Sequence, residues 1–328
     1  MTERSNTWEY RFAFRIRSEE DVPAEFRTTF RDLTRGGSDP ALAFFSPALK
    51  EGYYLTSRWT PPRLWLVFPD PLAVLSLDLR SDAVSKFILH QSDLLGFGHA
   101  EFLLNCWFSI FPGPDNGGPF EIRFPSRAEA KYQDLLRMLT GWCCKDNAGL
   151  RNRAPESRSS LTGLPPKFEY LLEQYSETGP ILEMFYQPRM IFAKRMAGEW
   201  PNVLFLVTPN LLVVLSDEHR GRWSEFGVRS LYFPLARLKL AEWVDGSAPD
   251  RGRIRIHLEG ASRRTSISWP LFRGLKPYAM RFLEAIEVAQ AALLGSRDQA
   301  GQKLPVDFNL GLTEKGRGCL TGSHLWQK

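Results

Sequence analysis

Histidines, cysteines and adjacent carboxylates are the groups in this chain that could do chemistry. Metal binding needs such residues at ligand spacing on one element or on neighbouring ones. His90, His99, His219, His257 and His324 show no such spacing, and there is no HExxH pattern. Cys106, Cys143, Cys144 and Cys319 form no CxxC pair. Cys143 and Cys144 close a predicted helix after Trp142, where ordinary burial of an unreactive thiol is the expectation. Glu19-Glu20 and Asp217-Glu218 could in principle exchange protons, but both stand at predicted element ends, where carboxylates are solvated. GxSxG, P-loop and GxGxxG patterns are absent from the sequence. These residues predict no catalysis, no cofactor, no metal and no small-molecule substrate.

The elements that would position a site come from the rest of the chain. Its 328 residues suit two domains, and 43% hydrophobic residues supply two cores. Forty-two Lys and Arg against 37 Asp and Glu leave a net charge of +5. That excess permits contact with anionic surfaces and demands no nucleic-acid partner. Without a signal-like segment or a long apolar run, the expectation is a cytoplasmic protein.

An internal repeat organises the sequence. Trp65–Ser76 and Phe205–Ser216 share seven of twelve residues at an offset of 140, including Pro69/Pro209, Leu72/Leu212 and Ser76/Ser216. The register extends upstream through Pro40/Pro180, Leu42/Leu182 and Phe45/Phe185. The prolines with Asp70 and Asn210 mark tight turns between apolar runs, so each block predicts a β-hairpin. Downstream, Phe87–Leu94 aligns with Leu231–Leu238 after a four-residue insertion. Further strands are expected at Phe102–Ile110, Phe120–Phe124, Arg253–Leu258 and Thr265–Trp269, and Gly96-Phe97-Gly98 reads as a turn. Helices are expected at Phe26–Leu33 and Lys167–Tyr175. Each unit ends in another: one opened by a Ser126/Glu129 capping box, the other carrying Phe282, Leu283, Ile286 and Ala289 on one face.

The predicted domains are therefore an N-terminal extension strand (1–21), a first unit (22–144), a polar linker (145–163), a second unit (164–294) and a flexible tail (295–328). In the extension, Trp8–Arg17 alternates apolar and mostly charged residues, as a half-buried strand does.

The rhythm of Phe205–Glu218, then Phe226–Leu238 with Tyr232-Phe-Pro-Leu235, then a closing helix, resembles the GRAM and bacterial PH-like families of the pleckstrin-homology superfold. The first unit keeps the hairpin but has Gln91-Ser92 in place of Pro234-Leu235. The resemblance implies an α+β fold: two tandem small antiparallel β-barrels, each capped by a C-terminal α-helix. It also implies a binding scaffold, with ligands at the barrel mouth. The residues falling there are Lys50, Arg58 and Arg63 in the first unit, and Arg189, Lys194 and Arg195 in the second, diluted by Glu51 and Glu199. An anion or lipid headgroup would meet these six side chains.

The expectation for function is a non-enzymatic adaptor with a protein partner. Peripheral attachment to an anionic membrane surface is the alternative. Leu320, Leu325 and Trp326, outside the repeat, form a candidate docking tail.

Overall fold

The computed structural model describes residues 13–35, 39–51, 58–102, 105–113, 116, 119–144, 164–176, 180–191, 199–217, 227–259 and 266–298. The expected linker and tail, with Leu320, Leu325 and Trp326, lie outside them, apart from the first residues assigned to the tail, which continue the last helix.

The first half runs β1 (Phe14–Arg15), α1 (Ala24–Thr34), β2 (Leu42–Ser46), β3 (Lys50–Glu51), β4 (Arg58–Trp59), β5 (Arg63–Val67), β6 (Leu72–Leu77), β7 (Val84–Leu89), β8 (Leu94–Phe102), β9 (Asn105–Pro112), β10 (Phe120–Pro125) and α2 (Glu129–Cys143). The second half repeats the order from α1 on: α3 (Pro166–Ser176), β11 (Glu183–Gln187), β12 (Met190–Ile191), β13 (Glu199–Trp200), β14 (Val203–Val207), β15 (Leu211–Asp217), β16 (Val228–Pro234), β17 (Leu238–Asp245), β18 (Arg251–Leu258), β19 (Ser266–Phe272) and α4 (Lys276–Asp298). The repeated hairpins are β5–β6 and β14–β15, with Phe68 and Thr208 amides donating across equivalent turns to Pro71 and Leu211 carbonyls. Pro166 opens α3, where its missing N–H costs nothing.

The architecture is α+β with antiparallel sheets, but the sheets do not close into barrels. The order β1-β2-β5-β6-β7 is an open five-stranded sheet, and β17-β18-β19 is an open three-stranded one. Between them, β10-β9-β8-β16-β15-β14-β11 forms one seven-stranded sheet drawn from both halves. The reason lies in β8. Gly96-Phe97-Gly98 is not a turn but part of this strand, paired with β16 through Phe97/Tyr232, Gly98/Leu231 and His99/Ser230. A Cβ on Gly98 would stand 2.5 Å from Leu231 Cδ2 and 2.9 Å from the Ser230 carbonyl oxygen; one on Gly96 would stand 2.8 Å from Phe233. Only glycine lets the strands approach this closely. Phe97 stacks on Tyr232 with ring centroids 4.9 Å apart. The edge of β8 is thus satisfied by the other half of the chain.

Strand alternation sorts the core into layers. In the first half, Phe44, Trp65 and Val74 face Phe108, Phe124 and the Tyr132, Leu135 and Leu139 face of α2. On the other side of the same sheet, Phe45, Leu64, Leu66 and Leu75 meet Phe26 and Phe30 of α1. In the second half, Phe205, Val214 and Phe233 pack with Ile254, Ile256, Trp269, Phe282 and Ile286. Their neighbours Leu204, Leu206 and Leu215 belong with Phe168 of α3 to the first half's core. Each such buried side chain contributes about 1.5–3 kcal/mol.

Two local expectations are corrected. The segment Phe102–Ile110 is not one strand, because β8 ends at Phe102 and β9 begins at Asn105. Ser126 starts a short 3-10 turn instead of capping α2, and no side-chain cap bond forms there.

Candidate functional site

The expected anion-binding residues lie on or beside two short ladders, β3–β4 and β12–β13. In the first, Lys50 pairs with Trp59 and Glu51 with Arg58. Arg63 opens β5 opposite Ser46 and Ser76, half-buried. In the second half, the Arg189 amide donates to Asn202 Oδ1 at 2.8 Å. Lys194 and Arg195 lie outside the described residues.

A buried polar chain crosses the second half. Lys167 of α3 bonds Asp217 Oδ1 at 2.5 Å. Asp217 Oδ2 accepts the Asn202 amide N–H at 3.0 Å and side-chain N–H at 2.9 Å. Asn202 Oδ1 in turn accepts the Tyr186 hydroxyl at 2.8 Å. Asp217 is 5% exposed. Burial and the Asp217 charge push the Tyr186 phenol up to about 12, so it stays protonated and donates. The chain ties α3 to the face of β14–β15 and leaves no reactive group.

A cleft of about 330 Å³ lies between the halves, lined in part by Asp70, Gln91, Trp142, Cys143, Asn210 and Arg237. Its polar groups are largely spent on bracing. Asp70 Oδ1 accepts the Gln91 amide at 2.9 Å, and the Gln91 side chain bonds the Trp142 carbonyl. In the second half the aligned Leu235 amide donates to the Asn210 carbonyl at 2.8 Å, and Gln290 donates to the Leu235 carbonyl at 3.0 Å. Burial, reinforced by Cys144 and opposed by Arg237, pushes the Cys143 thiol up to about 12. At neutral pH it is therefore no nucleophile.

The remaining titratable core groups are held neutral in the same way. Burial takes His99 down to about 4, and its Nε2 has no hydrogen-bond partner. Burial, with Glu129 and Glu101, takes Cys106 up to about 12. Among the described residues no three His, Cys, Asp or Glu side chains are grouped to hold a metal ion. No described helix is long and apolar enough to cross a membrane.

No family model matches this chain, and no curated protein does.

The surface that distinguishes the two halves is β17. It aligns with β8, yet among the described residues it pairs only with β18 and ends its sheet. Leu240 and Glu242 stand where β8 has Gly96 and Gly98. Leu240 is 45% exposed, and Trp243 and Val244 are half-buried. Across β18, Arg251, Arg253, Arg255 and His257 alternate with buried Gly252, Ile254, Ile256 and Leu258. Sequence reading placed a strand at Arg253–Leu258 but not the open edge beside it. The duplication alone could have signalled that edge, through the loss of both glycines in the second copy.

Proposed function

We propose that this chain is a non-enzymatic adaptor of PH-like type that works through protein contacts, and that it docks an extended segment of its partner along the free edge of β17. One observation carries the reading: the aligned edge of the first half, β8, is already completed by a strand from elsewhere in the chain, whereas β17 has none among the described residues. An edge strand offers unpaired N–H and C=O groups that an added strand can satisfy, with side-chain pockets giving selectivity. Exposed Leu240 and half-buried Val244 would supply the apolar contacts. Leu240 and Glu242, in place of two glycines, keep out a strand as bulky as β16 and favour one with small inward residues.

Photo-crosslinking from position 240 in cells tests this. One discrete adduct is expected, disappearing in Val244→Asp, while the circular dichroism and melting temperature of that variant match the parent. No adduct, or an adduct indifferent to Val244→Asp, overturns the docking edge.

A further inference from the structure

The outward face of β18 is a row of cations. Arg251, Arg253 and Arg255 repeat every second residue, and His257 extends the line. Alternate residues on a strand are about 6.7 Å apart, so the three guanidinium groups span about 13 Å in a straight line. The neighbours of Arg255 and His257 on β19 are Ser268 and Ser266, both exposed. On β17, Val244, Glu242 and Leu240 sit opposite Arg253, Arg255 and His257. Glu242 is the one carboxylate at these positions, 3.6 Å from Arg255 and 3.0 Å from His257. At 3.6 Å, with both side chains about a third exposed, the Arg255–Glu242 pair is weak and can exchange with another anion. The net charge of +5 conceals this concentration, because the row forms only when alternation turns Ile254, Ile256 and Leu258 inward.

We infer that this face binds the phosphodiester backbone of a nucleic acid, without reading its bases. Linear, evenly spaced cations match a linear polyanion, and Arg is the side chain best suited to phosphate oxygens. Flanking serine hydroxyls donate to phosphates as well. A protein interface would need an apolar, charge-depleted centre, whereas here the centre holds two guanidinium groups, Arg253 between Pro270 and Val244 and Arg255 between Ser268 and Glu242. Nucleic-acid interfaces have the polar and strongly positive composition seen here. This face adjoins the β17 docking edge, because Val244 and Leu240 sit opposite Arg253 and His257; the oligonucleotide titration reads the arginines and the crosslink reads position 240, so the two readings can fail separately.

Fluorescence anisotropy of the full chain with a labelled twenty-nucleotide oligothymidylate, titrated between 50 and 200 mM salt, is the test. For three phosphate contacts on a single strand, log K should fall against log salt with a slope of about −2. In the Arg253→Gln/Arg255→Gln double variant the slope should shrink to about −0.7. A duplex of the same length distinguishes single-strand from double-strand preference, either of which supports the inference. Absence of binding at 50 mM salt overturns it, and so does a slope unchanged in the variant. Tighter, Arg253-dependent binding to polyglutamate or to phosphatidylserine vesicles also overturns it, assigning the face to a protein or a membrane instead.

Discussion

Replacing Gly98 with alanine probes the joint between the halves most directly. The new methyl would stand 2.5 Å from Leu231 Cδ2 and 2.9 Å from the Ser230 carbonyl oxygen. The leucine methyl can swing aside, but the carbonyl belongs to the paired backbone of β16 and moves only if the ladder opens. Overpacking of this kind costs about 1–3 kcal/mol. Alanine recovers about 0.5–1 kcal/mol over glycine in a strand by restricting the unfolded chain. The net expectation is a loss of about 0–2.5 kcal/mol, centred a little above 1. Urea unfolding followed by tryptophan fluorescence reads it as a lower midpoint at unchanged slope. Gly295→Ala is the internal control: it lies in α4 with nothing within 4 Å of its Cβ, so a gain of about 0.5–1 kcal/mol is expected. Gly98→Ala more stable than the parent, by as much as the Gly295→Ala control, would refute the close approach of β8 to β16. The shared seven-stranded sheet makes a single transition the expectation for the parent, and two separate transitions would refute it.

Two further outcomes follow from buried charge. His99 titrates near 6.5 when unfolded and near 4 when folded, because burial disfavours its cation. The unfolded chain therefore binds the extra proton first, so this contribution is complete above pH 6.5 and is lost as pH falls toward 4. The full effect is up to about 3 kcal/mol, and His99→Leu should flatten the stability profile over that window; an unchanged profile counts against it. Asp217→Ala removes the buried carboxylate shared by Lys167 and the Asn202 donors and should cost about 3 kcal/mol by chemical denaturation. The Lys167→Met/Asp217→Ala pair should cost less than the sum of the single changes, and strict additivity would sever the proposed link between α3 and β15.

Much of this architecture was legible in the sequence because it rests on local pattern. Two apolar runs split by Pro69-Asp70-Pro71 or Pro209-Asn210 have no lower-energy arrangement than a hairpin. Amphipathic spacing likewise announced α1, α3 and the closing helices. The joint was not legible, because which edge meets which is decided by strands more than a hundred residues apart. Gly96 and Gly98, read locally, signal a turn; only with β16 beside them do they become a clearance for Leu231 and Phe233. The arginine row was hidden for a related reason. Its residues matter as a set only when β18's inward phase is known, and counting charge along the chain averages them against acids that lie elsewhere. The barrel expectation failed at the same point, since the hydrogen bonds that would close the first sheet system are given to β16.

The shared sheet also sets a timetable for biosynthesis. β8 leaves the ribosome about 130 residues before the β16 residues that complete its edge. At translation rates of about 5–20 residues per second, that edge waits roughly 7–26 s without its partner. During that interval the newborn first half carries an unpaired, glycine-bearing strand beside a large apolar surface that α3 and β14–β15 have yet to cover. Any factor that attends this chain as it is made should therefore be needed most between the emergence of β8 and that of β16, and a stalled or truncated message ending in the linker should yield a product prone to self-association.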